Sequence, residues 1–376
     1  MSLTSKQTVS KIAWILIAGY CVFYAPMAFE YFFHFFNSDA PYLWLKFFTK
    51  VVGEQHTLGA GSAEVVQHKI YAQNRVPMLF HTMMGGTAIL LASIQFYAPF
   101  RKKHPNIHQN IGKLFSVIVV VSMIGSITFL INAGPKNTFN GLPFYLQLWL
   151  LAIGTLGSLI LGIIAIVKKQ RKIHQVAMIY CFALLLSAPV LRAEWLIIGS
   201  MFEGVTQETS NLFSSLIFGY LVVPCAILAT RLTDQRKPVL KQKFKVMKLP
   251  DITIVLSGAI AFILIILKYQ SNIESITNYA ICVFVLFCVT LFVYLQFYKS
   301  SLRAGNEITI KEWRIHFLAY CISPIVFLIF WEIICSFANS YDAFIVASFT
   351  APALVFSLGY LLMAITRKNK KLEHTY

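Results

Sequence analysis

The sequence predicts an all-α, polytopic membrane protein with about ten transmembrane helices, and three observations lead to this fold class. Hydrophobic residues make up 57% of the 376 residues, charged residues make up only 12%, and the mean hydropathy is +0.68. The apolar residues are collected in runs long enough to cross a bilayer as helices. Because only helices or closed barrels satisfy backbone polar groups in lipid, continuous runs of this length indicate helices. The ten predicted spans are residues 12–35, 78–98, 110–132, 144–167, 175–199, 212–230, 251–268, 276–298, 315–337 and 343–366.

The chain begins with a predicted helix over 12–35 that carries Glu30 near its end. Its apolar run is too long for the hydrophobic part of a typical signal peptide, so we interpret it as the first transmembrane helix. An outer segment over 37–77 follows, in which residues 41–52 alternate aromatic and lysine positions as an interfacial helix does. Residues 1–77 therefore form the first predicted region, a helix followed by an outer interfacial loop.

Histidines mark the ends of predicted helices two to five, within residues 78–198. His81 opens helix two, whereas His108 and His174 each open a helix just after a basic turn. Imidazoles on facing helices are one way in which proteins hold haem iron, and an unpartnered histidine is costly in hydrocarbon. Helices three and five start on the same side, so His108 and His174 can share one iron, while His81 lies roughly 30 Å away at the opposite face. The alternative is that these histidines are interfacial polar residues, which we favour for His104.

Short motifs in this region resemble those of known membrane proteins. The chain resembles two consecutive helices of the transmembrane cytochromes b that carry electrons from ascorbate or quinol, through His81-x3-Gly85, Gln95, Arg101 and His108-x3-Gly112-Lys113. The segment 78–198 is also similar to a family of uncharacterised bacterial membrane proteins, whose pattern continues here with His174, Met178 and Arg192.

The cytochrome resemblance implies a four-helix core in which four histidines hold two b haems, one near each face. Predicted helix four contains no histidine that could pair with His81. We therefore expect one b-type haem, with His108 and His174 as ligands of its iron, or no haem at all. A second haem at the outer face would need another ligand, such as His34.

A second candidate site is a group of polar residues expected near the outer ends of their helices. Charged groups at this depth usually point into the bundle or into a water-filled cavity. The group suggests an outward-facing pocket for a small polar or quinone-like substrate, in which His81 or Glu30 handles protons and Arg192 carries the positive charge. The alternative is a structural pair, either Glu30–Arg192 or Glu332–Arg192, that fastens helices together. The predicted pocket residues are Glu30, His34, His81, Arg192, Glu194 and Glu332.

The net charge of +17 follows the membrane topology rather than a nucleic-acid surface. If the N-terminus is inside, 25 of the 32 lysines and arginines fall on inner segments, as the positive-inside rule predicts. We therefore expect a bacterial inner membrane protein in contact with the lipid bilayer, with both termini cytoplasmic and no nucleic-acid partner. The most basic stretch lies in the region 199–250, which combines the sixth helix with a cytoplasmic linker.

The last region, 251–376, contains four predicted helices with few ionisable residues. Three functions remain open from the sequence. The first is a membrane cytochrome of the b type, a transmembrane oxidoreductase that exchanges electrons with a quinol or another small redox partner. The second is a haem-free transporter or permease that uses the outer pocket. The third is an accessory subunit of a larger membrane complex that docks through residues 251–376.

Overall fold

The computed structural model describes residues 3–37, 40, 42–234, 248–273 and 277–369, and the regular elements in these ranges are helices. Residues 235–247, which hold most of the predicted basic linker, lie outside the described residues. The α-helices are α1 (Leu3–Phe36), α2 (Leu43–Val52), α3 (Glu54–Leu58), α4 (Ala63–Gln73), α5 (Arg75–Gln95), α6 (Ala98–Lys103), α7 (Pro105–Ala133), α8 (Gly141–Val167), α9 (Arg171–Leu185), α10 (Ser187–Met201), α11 (Gln207–Thr233), α12 (Leu249–Asn272), α13 (Asn278–Ala304), α14 (Glu307–Cys321), α15 (Ser323–Cys335) and α16 (Ser340–Asn369).

The described ranges contain nine candidate membrane spans, or ten if the bent pair α9–α10 crosses as one span. This confirms the prediction of a multi-pass helical protein with about ten apolar helices. The fifth predicted helix, 175–199, is interrupted: α9 and α10 meet at Leu186 and bend by 43°. Pro189 explains the break, because it has no N–H to donate to the carbonyl group four residues earlier.

The chain divides into two compact units, and the first contains most of the predicted sites. Unit 1 comprises Met1–Val167, Ala177–Ser215 and Leu228–Thr233. In it α1 packs on α5, α5 packs on α7, and α7 packs on α8. Of the short helices, α2 packs on α10 and α4 packs on α5. Buried residues such as Phe115, Leu159 and Phe182 form its core. The long helices therefore form a bundle, with α2, α3 and α4 placed beside one end of it.

Unit 2 comprises Lys168–Val176, Leu216–Ile227 and Asp234–Tyr376. Its helices α12 to α16 pack around an aromatic core that includes Tyr320, Trp331 and Phe344. The buried Arg367 and Glu312 form a two-point ion pair, with distances of 2.8 and 3.0 Å from Nε and Nη2 to the carboxylate oxygens. A paired geometry of this kind is how a charge is accommodated in a low-dielectric interior.

Candidate functional site

Arg192 is the charged residue around which several polar side chains of unit 1 gather. It lies in the second turn of α10, is half-buried, and its Cζ atom lies 5.8 Å from the centre of the Trp195 ring. Among the described residues, no hydrogen bond or ion pair joins its guanidinium group to another side chain. The side chains that interact electrostatically with Arg192 come from α1, α4 and α5. Together with Arg192 they form what we call the Arg192 site: Tyr20, Tyr24, Glu64, Tyr71 and His81.

The imidazole of His81 is oriented by the neighbouring helix α7. Its Nδ1 atom lies 3.2 Å from the carbonyl oxygen of Ser122, and the Ser122 hydroxyl donates a hydrogen bond of 2.9 Å to the His81 carbonyl oxygen. The close approach depends on Gly125, because a Cβ atom there would lie 2.5 Å from the Pro77 carbonyl oxygen. When Nδ1 carries its proton toward a carbonyl, Nε2 is left as the basic nitrogen. The contact between α5 and α7 therefore fixes the orientation of the His81 ring.

Helix α4 contributes an acidic and a phenolic group to the Arg192 site. Burial raises the pKa of Glu64, and this outweighs the lowering of that pKa by the nearby charges of Arg192 and His68. The Tyr71 hydroxyl donates a 2.6 Å hydrogen bond to the Oε1 atom of the buried Gln67, and burial raises the pKa of Tyr71. Glu64 is thus a carboxyl group that takes up a proton more readily than an exposed one and stands near a fixed positive charge.

Two of the predicted pocket residues, Glu30 and His34, connect α1 to the interfacial region. The Glu30 carboxylate accepts hydrogen bonds from the backbone N–H groups of Leu43, at 2.9 Å, and Trp44, at 3.3 Å. An acidic group at this position stabilises the first turn of α2. The His34 ring stacks on Tyr42 with 3.6 Å between ring centres, and both of its ring nitrogens are buried without a partner among the described residues. Glu30 therefore positions α2, and His34 lies beside it.

Glu194 is the least satisfied acidic group in unit 1. Both of its carboxylate oxygens are buried, and neither has a hydrogen-bond partner among the described residues. It interacts electrostatically with Tyr20, whose hydroxyl donates a 2.5 Å hydrogen bond to the Pro189 carbonyl oxygen. Tyr20 therefore connects Glu194 to the Arg192 site and also touches the first turn of α10.

The remaining predicted pocket residue, Glu332, belongs to unit 2. It is exposed and forms an ion pair with Lys268, whose Nζ atom also lies 5.0 Å from the centre of the Trp331 ring. An exposed pair of this kind contributes little to stability, roughly 0–1 kcal/mol.

The predicted haem ligands occupy equivalent positions in two helices. His108 is the fourth residue of α7 and His174 is the fourth residue of α9, and the backbone N–H of each donates to the carbonyl group four residues earlier. Gln95 Nε2 also donates a 3.0 Å hydrogen bond to the His108 carbonyl oxygen. His108 belongs to unit 1 and His174 to unit 2. Two imidazoles are a donor set that a b-type haem iron takes, so the residue types fit this group.

In the part of the chain that the structure describes, no three histidine, cysteine or acidic side chains come together as a metal site. The seven cysteines are all free.

Four members of the Arg192 site were not among the residues predicted from the sequence, namely Tyr20, Tyr24, Glu64 and Tyr71. The tyrosines gave no signal, because aromatic residues are common in membrane helices and at their ends. Glu64 was detectable in principle, since it is one of only 15 acidic residues and lies in an otherwise ordinary outer segment. Its proximity to Arg192 depends on how α4 folds back beside α10. No local sequence pattern predicts that arrangement.

Comparison with known proteins shows that one part of the chain is similar to a family of membrane proteins. Residues 78–233 match the profile of a family described as predicted membrane protein (DUF2306). The match begins in α5 and ends with α11, so it includes His81, His108, His174 and Arg192. No curated protein and no solved structure matches the chain. The chain is therefore similar, in this stretch, to membrane proteins whose family description assigns no activity.

Proposed function

We propose that unit 1 binds a small anionic solute at the Arg192 site, and that the protein is a membrane carrier or permease for it. The observation that carries this proposal is Arg192 itself, a half-buried guanidinium group in a membrane helix with no hydrogen-bond or ion-pair partner among the described residues. An ionisable residue in such a position is costly and usually has a functional role. The planar guanidinium offers several donors that match a carboxylate or a phosphate.

The surroundings of Arg192 support an anion rather than a structural ion pair. Glu30 is engaged with the backbone of α2, and Glu332 pairs with Lys268 in unit 2, so neither acts as the counter-ion that a purely structural role would need. The N-terminus of α10 lies five residues before Arg192, and the positive end of a helix dipole also favours an anion.

The break between α9 and α10 supports a carrier in particular. Transporters commonly bind their substrates where a membrane helix is interrupted, because the half-helix ends supply dipoles and the break allows movement. Here the break at Leu186 precedes Arg192 by less than two turns. His81 and the tyrosine hydroxyls would supply hydrogen bonds to the solute, and His81 would accept or return a proton.

This proposal predicts that small anions stabilise the detergent-purified protein against thermal unfolding. A ligand at one hundred times its Kd should add about 2.7 kcal/mol to the free energy of unfolding. We expect mono- and dicarboxylates or inorganic phosphate to raise the Tm of the wild type and of Arg75→Gln, which removes an exposed arginine of unit 1. Arg192→Gln should abolish the shift, and Arg192→Lys should weaken it. Equal shifts in the wild type and Arg192→Gln would rule out the Arg192 site.

A second candidate function, which the sequence predicts, is one-electron transfer by a b-type haem, with His108 and His174 as the candidate ligands of its iron. It is supported by the chemistry of the two side chains, because an imidazole is a ligand that a b-type haem iron takes. When bound, a haem would supply one-electron redox chemistry, with a small quinol-like molecule as the partner that the cytochrome resemblance implies. Gln95 would hold the first turn of α7 in place through the His108 carbonyl group.

This candidate predicts a sharp b-type α-band, with one haem per chain, in the reduced-minus-oxidised spectrum of protein purified from haem-replete cells. His108→Ala and His174→Ala should each remove the band while the protein still inserts, whereas His104→Ala should keep it. Protein that is colourless under these conditions would contradict the haem and leave the anion site untouched, so the two candidates are tested separately.

A further inference from the structure

One end of the unit 1 bundle, where α5 ends and α1 and α7 begin, carries a group of basic residues. Trp14 of α1 donates a 2.8 Å hydrogen bond from Nε1 to the Ser93 carbonyl oxygen of α5, and its ring stacks on Tyr97, which precedes α6. Gln95 of α5 bonds the first turn of α7. These contacts bring the first part of α1, helix α6 and the first part of α7 together. We call their basic residues the α6 basic patch; it consists of Lys11, Arg101, Lys102, Lys103 and Lys113.

The α6 basic patch has no acidic residue beside it. The sequence contains neither aspartate nor glutamate over 65–193, and the only acidic residue of α1 is Glu30. Glu30 lies roughly 24 Å farther along α1 than Trp14, and it is bonded to α2. Among the described residues, no ion pair joins a member of the patch to an acidic side chain. The positive charge of the patch is therefore left for a ligand to neutralise.

Two aromatic residues place the α6 basic patch at the level of the lipid headgroups. Tryptophan and tyrosine collect at membrane–water interfaces, because one end of each side chain is apolar and the other is polar. Trp14 and Tyr97 stack with 4.2 Å between ring centres, at the point where the apolar span α5 ends. Lys11 precedes Trp14 by three residues and Arg101 follows Tyr97 by four, so each lies about one helical turn from this level.

Lys113 indicates that the ligand is a lipid rather than a soluble anion. It is exposed and lies eight residues, roughly 12 Å, after the start of α7. Its neighbours on the same side of the helix are apolar and exposed: Leu114 is 52% exposed, and Val117, one turn farther on, is 61% exposed. This side of α7 therefore faces hydrocarbon. A lysine there avoids a large energetic cost when its stem runs along apolar surface and its ammonium group reaches a lipid phosphate.

We propose that the α6 basic patch binds the headgroup of an anionic phospholipid, whose acyl chains lie along the exposed apolar side of α7. Arg101 is half-buried and offers a planar guanidinium that matches a phosphate with two donors, and the exposed lysines add point charges. The patch is separate from the Arg192 site, because His81 of that site precedes Gln95 by 14 residues of α5, roughly 21 Å. The inference therefore stands whether or not an anion binds at Arg192.

Lipid binding to the detergent-purified full-length protein tests this inference. Native mass spectrometry gives the affinities for phosphatidylglycerol and for phosphatidylcholine with the same acyl chains. We expect the wild type to bind phosphatidylglycerol at least about fivefold more tightly, since each basic residue near an anionic lipid contributes about 1 kcal/mol. Arg101→Gln and Lys113→Gln should each weaken phosphatidylglycerol binding about fivefold and leave phosphatidylcholine binding unchanged. Lys136→Gln is the matched control, because it removes an exposed lysine beyond the opposite end of α7.

Equal affinities of the wild type for the two lipids would overturn the lipid site, as would equal losses in Arg101→Gln and Lys136→Gln. Glycerol phosphate, the charged part of the headgroup without acyl chains, separates a lipid from a soluble anion. If it raises the Tm as much as phosphatidylglycerol does, and Lys113→Gln abolishes that rise, the ligand is a soluble anion and the proposal is wrong. Arg192→Gln should keep full phosphatidylglycerol binding, so the lipid site and the Arg192 site are tested separately.

Discussion

At the scale of single residues, Arg192 and Glu64 form an electrostatic pair without forming an ion pair. Burial raises the pKa of Glu64, although Arg192 acts in the opposite direction. Glu64 therefore keeps a proton at higher pH than an exposed carboxyl group does. While it is protonated, Arg192 faces no competing negative charge, and its donors are available to an anionic solute. When Glu64 is deprotonated, its negative charge would compete with that solute for interaction with the Arg192 guanidinium group.

This arrangement predicts that anion affinity rises as the pH falls through the raised pKa of Glu64. Glu64→Gln fixes the neutral form, so it should bind anions at least as tightly as the wild type does at low pH and should lose most of the pH dependence. The variant should bind anions more tightly than the wild type at high pH, where wild-type Glu64 is deprotonated. The measurement is a pH titration of the Tm shift, or of calorimetric binding, with a carboxylate that stays ionised throughout.

The exposed Glu54 of α3 provides a matched control for this titration. Glu54→Gln removes the same charge from the outer segment and should leave the pH profile unchanged. An unaltered profile in Glu64→Gln would assign the pH dependence to another group, with His81 the first to examine.

For single residues, the sequence predicted which polar groups stand out but not what they contact. The outer polar group could be proposed from the sequence, because an ionisable residue in a membrane helix stands out against its surroundings. The hydrogen-bond partners of these residues could not be predicted from the sequence. Glu30 bonds the first turn of α2, and this depends on the chain turning back after α1. The buried Ser210 and Ser214 of α11 gave no signal at all, since most serines in membrane helices bond their own backbone.

At the scale of helices, the unit 1 bundle depends on close approach at particular glycines. A Cβ atom on Gly125 would lie 2.5 Å from the Pro77 carbonyl oxygen and 2.9 Å from the backbone nitrogen of His81, so α7 touches the backbone of α5 there. Small residues allow helices in membranes to pack at this distance. The same contact holds the His81 imidazole against Ser122. Packing and site geometry are therefore coupled through one glycine.

We predict that Gly125→Ala destabilises the protein by at least about 2 kcal/mol, as overpacking of a tight contact typically does. Gly157→Ala in α8 is the matched control, because nothing lies within 4 Å of a Cβ atom there and alanine is the better helix former. The Tm of both variants in the same detergent gives the comparison. If Gly125→Ala is as stable as Gly157→Ala, the α5–α7 contact is looser than described.

Hydropathy predicted the spanning helices well, because a bilayer demands long apolar runs whatever the fold. It did not show the interruptions within two predicted helices, the fifth at Leu186, where the chain bends by 43°, and the ninth at Ile322. Pro189 is visible in the sequence, yet prolines also lie within α1, α11 and α16, where the helix continues. Which proline ends a helix is decided by the packing around it, here with Tyr20 bonded to the Pro189 carbonyl group.

At the scale of the whole molecule, the bend between α9 and α10 determines the topology of everything after it. If the pair crosses the membrane as one span, the described helices make ten spans, and the two termini lie on the same side. If the pair is a re-entrant loop, nine spans remain, and the termini lie on opposite sides. The distribution of basic residues favours the first arrangement, because 25 of the 32 lysines and arginines then fall on one side.

We therefore predict that both termini are cytoplasmic and that the turn after α10, residues 202–206, is external. Fusions at residue 376 should give fluorescence with a cytoplasmic reporter and no activity with an alkaline phosphatase that folds only outside. Truncations fused at residue 205 should give the reverse pattern, and truncations fused at residue 169, between α8 and α9, should behave as the C-terminus does. Phosphatase activity at residue 376 together with fluorescence at residue 205 would establish the re-entrant arrangement. Arg192 would then have to be reached from the cytoplasmic side, and the outward-facing carrier would be wrong even if anions bind.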